Sequence, residues 1–190
     1  MYFSQVSLIF SSNEVFSSAL RLLNDVGADL IEIGIPFTDP IAEGKIIESA
    51  HHHALKHNFV LDDICRIVKE FKTYSYTPLI AMGYTNSFIN PSSENVATKL
   101  SESGFNGVLI VDLPASEKSI IKSFKDKKLN LVQLIAPTTQ LNLIEDFLEN
   151  DPALIYYITQ RGITGSNNLN LEEISEKLSA IKKLSNKPVV

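Results

Sequence analysis

Three carboxylates fall within one twelve-residue span: Glu32, Asp39 and Glu43, in the stretch DLIEIGIPFTDPIAEG at 29–44. The first sits inside an apolar run, Leu30-Ile31-Glu32-Ile33-Gly34-Ile35; the other two follow in a polar, turn-rich segment. Acids held in such different surroundings acquire different proton affinities, which is how one site comes to hold both an acid and a base. Acid/base chemistry is the first expectation. Two plainer explanations of Glu32 stand beside it: a structural acid paired with a lysine or arginine, or an exposed residue on an edge strand.

The element that must position Glu32 can be read from its pattern. An unbroken apolar run of this length predicts a strand covered on both faces, as in a parallel sheet. Pro36, which has no N–H to give, ends it. Side chains alternate along a strand, so Ile31, Ile33 and Ile35 share one face while Leu30, Glu32 and Gly34 share the other. The isoleucine face suits a layer of helices. The opposite face sets an acid beside a glycine, which suits a reaction site better than a core. The loop that follows carries Asp39 and Glu43, and loops at the carboxyl ends of parallel strands are where sites gather.

Further polar groups close later apolar runs. Asp112, before Leu113-Pro114, serves either a ligand or its own turn; Tyr84 and Tyr156 also stand at strand exits, Tyr156 belonging either to a pocket or to the core. Gly162-Ile163-Thr164-Gly165 joins a strand to a helix, where two glycines let backbone N–H groups turn toward an anion. The same spacing also makes a plain flexible connection. His51, His52, His53 and His57 invite a metal assignment. They lie on a predicted helix, where neighbours point about 100° apart, so three in a row cannot converge on one ion. His53 and His57 are one turn apart, with no evident third ligand. A solvated helix face is expected there, and no metal.

Strands are expected at 6–10, 30–35, 79–82, 107–111, 129–135 and 154–159, and 188–190 opens one more. Helices are expected between them: one capped by Ser12 or Asn13 that buries Phe16, Ala19, Leu20, Leu23 and Val26, then 45–57, 61–72, 95–103, 116–127, 141–149 and 171–184. Such alternation predicts a parallel α/β protein. No GxGxxG follows the first strand, so a dinucleotide fold has no specific support. Polar groups at successive strand exits favour a (β/α)8 TIM barrel, incomplete in this chain, with about six βα units and the start of a seventh strand. The expected organisation is one partial barrel domain over 1–190.

Composition narrows the partners. With 44% hydrophobic and 21% charged residues the chain has the balance of a soluble globular protein. No apolar run approaches the roughly 18 residues of a membrane-spanning helix, and the first residues lack the features of a signal peptide. A lone cysteine, Cys65, fits a reducing cytosol, so a cytoplasmic location is expected. A formal charge of −5 argues against nucleic acid or an anionic membrane as the main partner. It does not argue against a phosphorylated substrate.

Five stretches, taken in order, resemble the tryptophan synthase alpha chain family. They are IEIGIPFTDPIAEG (31–44), the Tyr84-Thr85-Asn86 exit, GFNGVLIVDLPASE (104–117), LIAPTT (134–139) and YYITQRGITG (156–165). The resemblance implies a β/α barrel and a lyase that cleaves indole-3-glycerol phosphate to indole and glyceraldehyde 3-phosphate. It also implies a tryptophan synthase beta chain as partner in an alpha2-beta2 assembly. No cofactor is implied in this chain, pyridoxal phosphate belonging to the beta partner. By the same resemblance Glu32 and Glu43 match the two catalytic acids. Tyr84, Leu109, Ile135 and Tyr156 match the indole pocket, and Thr164 and Gly165 match the loop that closes over the site and contributes to phosphate binding. The chain departs from the family where Glu43 replaces an aspartate, Lys45 a proline and Gln160 a frequent arginine. Two strands that carry much of the family's phosphate site are expected to be absent or barely begun, and its N-terminal helix to be missing.

The chemistry fits those roles. Release of indole needs a proton at ring carbon C3 and loss of one from the neighbouring hydroxyl. An acid in apolar surroundings, Glu32, can give the first and take the second. A carboxylate at Glu43 facing the indole N–H would stabilise charge building on the ring. The alternatives are a non-catalytic alpha-like subunit that binds and activates a beta chain, and a different phosphate-binding barrel such as an aldolase. None of the predicted strands holds the lysine that a Schiff-base aldolase needs.

Overall fold

A computed structural model describes residues 5–8, 12–159 and 171–190. The elements run β1 (Gln5–Leu8), α1 (Asn13–Asp25), β2 (Leu30–Gly34), α2 (Lys45–Lys56), α3 (Leu61–Phe71), β3 (Leu79–Gly83), α4 (Thr85–Phe88) and α5 (Ser93–Ser103). They continue with β4 (Gly107–Ile110), α6 (Lys118–Asp126), β5 (Asn130–Ile135), α7 (Leu141–Leu148), β6 (Leu154–Tyr157) and α8 (Leu171–Leu184). The helix ends follow local chemistry. Ser12 and Ser92 cap α1 and α5 by accepting from the N–H of Val15 and Asn95. Gly104, at φ 99°, closes α5 in the left-handed conformation.

The strands form one parallel sheet in sequential order, β1-β2-β3-β4-β5-β6. Parallel neighbours joined through helices cross over with one hand, so the helices collect on a single side. That side holds the main core, where Ile31, Ile33 and Ile35 of β2 and its exit pack with Phe16, Phe71 and Leu100 of the helices. The opposite side carries a second cluster drawn from strands and their exits alone: Leu30, Ile80, Leu109 and Val132, with Met82, Leu134 and Tyr156 against them. A face without a helix layer is covered when the sheet curls on itself, which is how a barrel forms its interior. Close approach between strands is built in at Gly107, where a Cβ would lie 2.4 Å from the Asn130 carbonyl oxygen.

The expected architecture is present. Val189 bridges Ile155 in parallel, with Ile155 donating to the Pro188 carbonyl and Tyr157 to that of Val190, so a seventh strand begins beside β6. Residues 9–10 of the first expected strand lie outside the described residues. Two local differences have physical causes. Val26, expected in the core, is 69% exposed because it sits at the C-cap of α1, past the buried stripe. The short helix α4 was not expected from periodicity; Asp112 holds its start, accepting from the N–H and hydroxyl of Thr85 at 2.6 and 2.8 Å. Asp112 therefore joins the exits of β3 and β4 rather than ordering its own turn alone. No described helix is long and apolar enough to cross a membrane.

Candidate active site

Glu32 occupies the middle of β2, between Ser7 of β1 and Ile80 of β3, and is 2% exposed. Alternation places it with Leu30, on the strand-lined face rather than among the isoleucines. An edge-strand position is thereby excluded. Leu109 (1% exposed) and Tyr156 belong to the same face, two and four strands along.

Tyr156 reports what surrounds it. Its hydroxyl is held above the ordinary tyrosine value, first by burial, then by the negative charges of Glu32 and Glu43. A single phenol thus feels both acids, one from inside a strand and one from the loop above it. Glu43 is itself half-buried, and loss of water raises its carboxyl above the ordinary value of 4.5. Asp39, in the same loop, is exposed.

The loop between β2 and α2 is fastened along its length. Tyr84, 2% exposed, accepts from the Ala42 N–H at 3.0 Å and stacks on Phe37 with ring centroids 5.0 Å apart. Its hydroxyl too is raised, first by burial and then by Glu43, Asp112 and Asp39, against the lowering effect of the Ala42 bond. On the other side the Phe37 N–H donates to Nδ1 of His51 at 3.1 Å, and Nε2 of His52 meets the Thr38 carbonyl at 3.2 Å. Within the loop, Glu43 donates its N–H to the Pro40 carbonyl.

The expected site residues are therefore distributed as follows. Glu32, Glu43, Tyr156, Tyr84 and Leu109 gather on the inner face and at its rim. Thr164 and Gly165 lie outside the described residues, as does Gln160. Ile135 requires correction: it is fully buried on the helix side with Ile144, Ile155, Tyr157 and Ile181. Its neighbour Leu134 points the other way, pairing in register with Tyr156. A one-residue step along a strand changes faces, and that is the whole of the difference.

His51 also departs from expectation. It is 3% exposed rather than solvated, and burial followed by the charge of His52 lowers it below the ordinary value of 6.5, which favours the neutral ring. The sequence carried a signal for this, since His51 and Ala54 form the buried stripe of α2. His53 and His57 pair edge-on at 4.6 Å between centroids. Among the described residues no group of three or more His, Cys, Asp or Glu side chains is arranged to hold a metal. Phe37 carries no signal in the sequence, because a lone aromatic in a loop gives no periodicity.

Arranged this way, the site can exchange protons with a substrate held against an apolar wall and can present a carboxylate to a polarised N–H. Comparison with known proteins bears on which substrate that is. The family model described as tryptophan synthase alpha chain matches residues 3–190. The tryptophan synthase alpha chain of Marinobacter nauticus is 38% identical over 174 residues, covering 90% of this chain and 64% of the relative. That of Nitrosomonas europaea is 35% identical over 172 residues, covering 90% and 62%. The chain thus spans less than two thirds of the length of these relatives. Among solved structures, the tryptophan synthase a2b2 complex from Pyrococcus furiosus superposes with a TM-score of 0.88 at 30% identity, over 98% of this chain and 76% of that one. Tryptophan synthase subunit alpha from Legionella pneumophila gives 0.85 at 29% identity, over 98% and 71%. The strand order, the strand-lined inner face and the near end-to-end family match agree: this chain belongs to the tryptophan synthase alpha chain family.

Proposed function

We propose that the protein cleaves indole-3-glycerol phosphate to indole and glyceraldehyde 3-phosphate, with Glu32 as general acid and base and Glu43 as partner of the indole N–H. The observation that carries this is a carboxylic acid, Glu32, 2% exposed in the middle of β2 on the strand-lined face that also holds Leu109, Leu134 and Tyr156. The indole ring lies against Leu109, Leu134 and Tyr156. Glu32 gives its proton to ring carbon C3, which makes the ring a leaving group. The bond from C3 to the glycerol carbon breaks, its electron pair returns to the ring, and the adjacent hydroxyl becomes the aldehyde. The proton lost from that hydroxyl returns to Glu32, so the acid is restored and the balance closes. Meanwhile the Glu43 carboxylate accepts from the indole N–H and stabilises the positive charge that the ring carries after protonation. These steps use proton transfers alone, with pyridoxal phosphate left to a beta chain.

The beta chain is the proposed partner, in an alpha2-beta2 assembly. In support, Ile41 and Ile46 stand 78% and 85% exposed on either side of Glu43, an apolar rim that a second chain would cover. A cytoplasmic location follows from the same biosynthetic role. The test measures indole formation from indole-3-glycerol phosphate, with and without a beta chain, for the native protein and Glu32→Gln. Turnover by the native protein that the substitution removes is expected. Equal turnover by both would end the role of Glu32, and stimulation of the beta chain with no turnover would select a non-catalytic subunit instead.

A further inference from the structure

The proposed chemistry depends on where Glu43 stands, and Glu43 is carried by a loop. Its position is set by backbone groups on the preceding residues. Glu43 donates to Pro40, Ala42 donates to the Tyr84 hydroxyl, and Phe37 lies on the Tyr84 ring. From the next helix two side chains reach the loop, His52 at the Thr38 carbonyl and His51, whose Nδ1 accepts from the Phe37 N–H. Tyr84 and His51 therefore hold the loop from opposite sides, one from the β3 exit and one from α2.

We propose that His51 is a positioning residue for Glu43, acting as an obligate neutral imidazole whose Nδ1 fixes the Phe37 amide and, through the Phe37–Tyr84 stack, the acid-bearing end of the loop. The geometry demands one tautomer. A ring nitrogen that accepts from a backbone N–H carries no proton, so the imidazole proton resides on Nε2. A doubly protonated ring would set two N–H groups face to face and eject Phe37. With Phe37 displaced, Tyr84 loses its stacking partner, and the Ala42 bond alone orients the residue before Glu43. The role does not extend to chemistry at the substrate. Its consequence for turnover rests on the proposed lyase activity, whereas its consequence for the loop does not.

Two variants and one measurement on the native protein test this. The nitrogen chemical shifts of His51 are expected to show an unprotonated Nδ1 and a protonated Nε2; a protonated Nδ1 overturns the proposal without any substitution. His51→Leu keeps the bulk and removes the acceptor, and should speed hydrogen exchange at the Phe37 amide about three- to tenfold, the worth of one backbone–side-chain bond. His51→Asn places an amide oxygen near the position of Nδ1 and should restore slow exchange. Indole release should follow the same order, with kcat falling in the leucine variant and recovering in the asparagine variant while KM moves little. Unchanged exchange in His51→Leu, or exchange that changes while kcat does not, overturns the positioning role. Should the native protein release no indole at all, the lyase assignment falls, and the exchange data still decide whether His51 clamps the loop.

Discussion

The two faces of β2 are built from the same five residues and do opposite work. Ile31 and Ile33, 0% and 1% exposed, point into the helix layer and belong to the main core. Glu32, one residue away and equally buried, points into the strand-lined interior where Tyr156 feels its charge. The first face stabilises the fold by removing apolar surface from water. The second gives up part of that stabilisation to hold an acid in a place where its proton can be used. A barrel separates these tasks cleanly, since helices cover its outside and its strand exits surround its mouth.

Removing the acid should give the largest effect. Glu32→Gln is expected to lower kcat for indole release about 10²- to 10⁴-fold, the usual range for a general acid–base, while leaving the circular-dichroism spectrum native. Ile33→Ala should do the reverse. It is expected to cost about 2–5 kcal/mol in denaturant unfolding and to leave Tyr156 titrating as before. If the two substitutions behaved alike, the division of the strand into a structural and a chemical face would be lost.

The step from Leu134 to Ile135 repeats that division on β5 with a smaller contrast. Ile135→Ala, emptying the outer cluster, should also destabilise by about 2–5 kcal/mol. Leu134→Ala, on the inner face and already half-buried, should instead raise KM for indole-3-glycerol phosphate about tenfold. A KM effect from Ile135 alone would restore it to the pocket.

The smallest effect concerns pH and Glu43. Burial raises its folded-state carboxyl above 4.5. The folded protein therefore holds this proton more tightly than the unfolded chain does. The associated stability is present below the unfolded value and is lost as pH rises through the raised one. At neutral pH Glu43→Gln should accordingly unfold at slightly higher denaturant, while the acid limb of kcat/KM, in the proposed mechanism set by ionisation of Glu43, should lie above the ordinary value of 4.5 in the native protein. A limb at or below 4.5 would show that Glu43 is not the group whose charge is needed.

Much of this was legible in the residues because the signals were local and periodic. Continuous apolar runs bounded by Gly, Pro and Asp marked the strands within a residue or two, and alternation alone put Glu32 on the face away from the isoleucines. What stayed hidden depends on contacts between segments distant in sequence. The Thr85–Asp112 bond that starts α4 spans 27 residues, and the Ala42–Tyr84 bond spans 42. Resemblance assigns Ile135 to the pocket, although counting along β5 from Leu131 places it on the outer face. A run of three histidines reads as a solvated face, yet His51 falls in line with Ala54 on the buried stripe.

The central claim is that Glu32 and Glu43 face one space, and Tyr156, on the same strand-lined face as Glu32, is the natural probe of it. Its phenol can be titrated directly by the Cζ carbon shift in the native protein, in Glu32→Gln and in Glu43→Gln. The account predicts that Tyr156 titrates above its ordinary value of 10.0 in the native protein, and lower in each variant than in the native chain, with the larger drop for Glu32→Gln. A Tyr156 titration indifferent to the loss of Glu32 would mean that the buried acid faces elsewhere, and the proposed site would not exist.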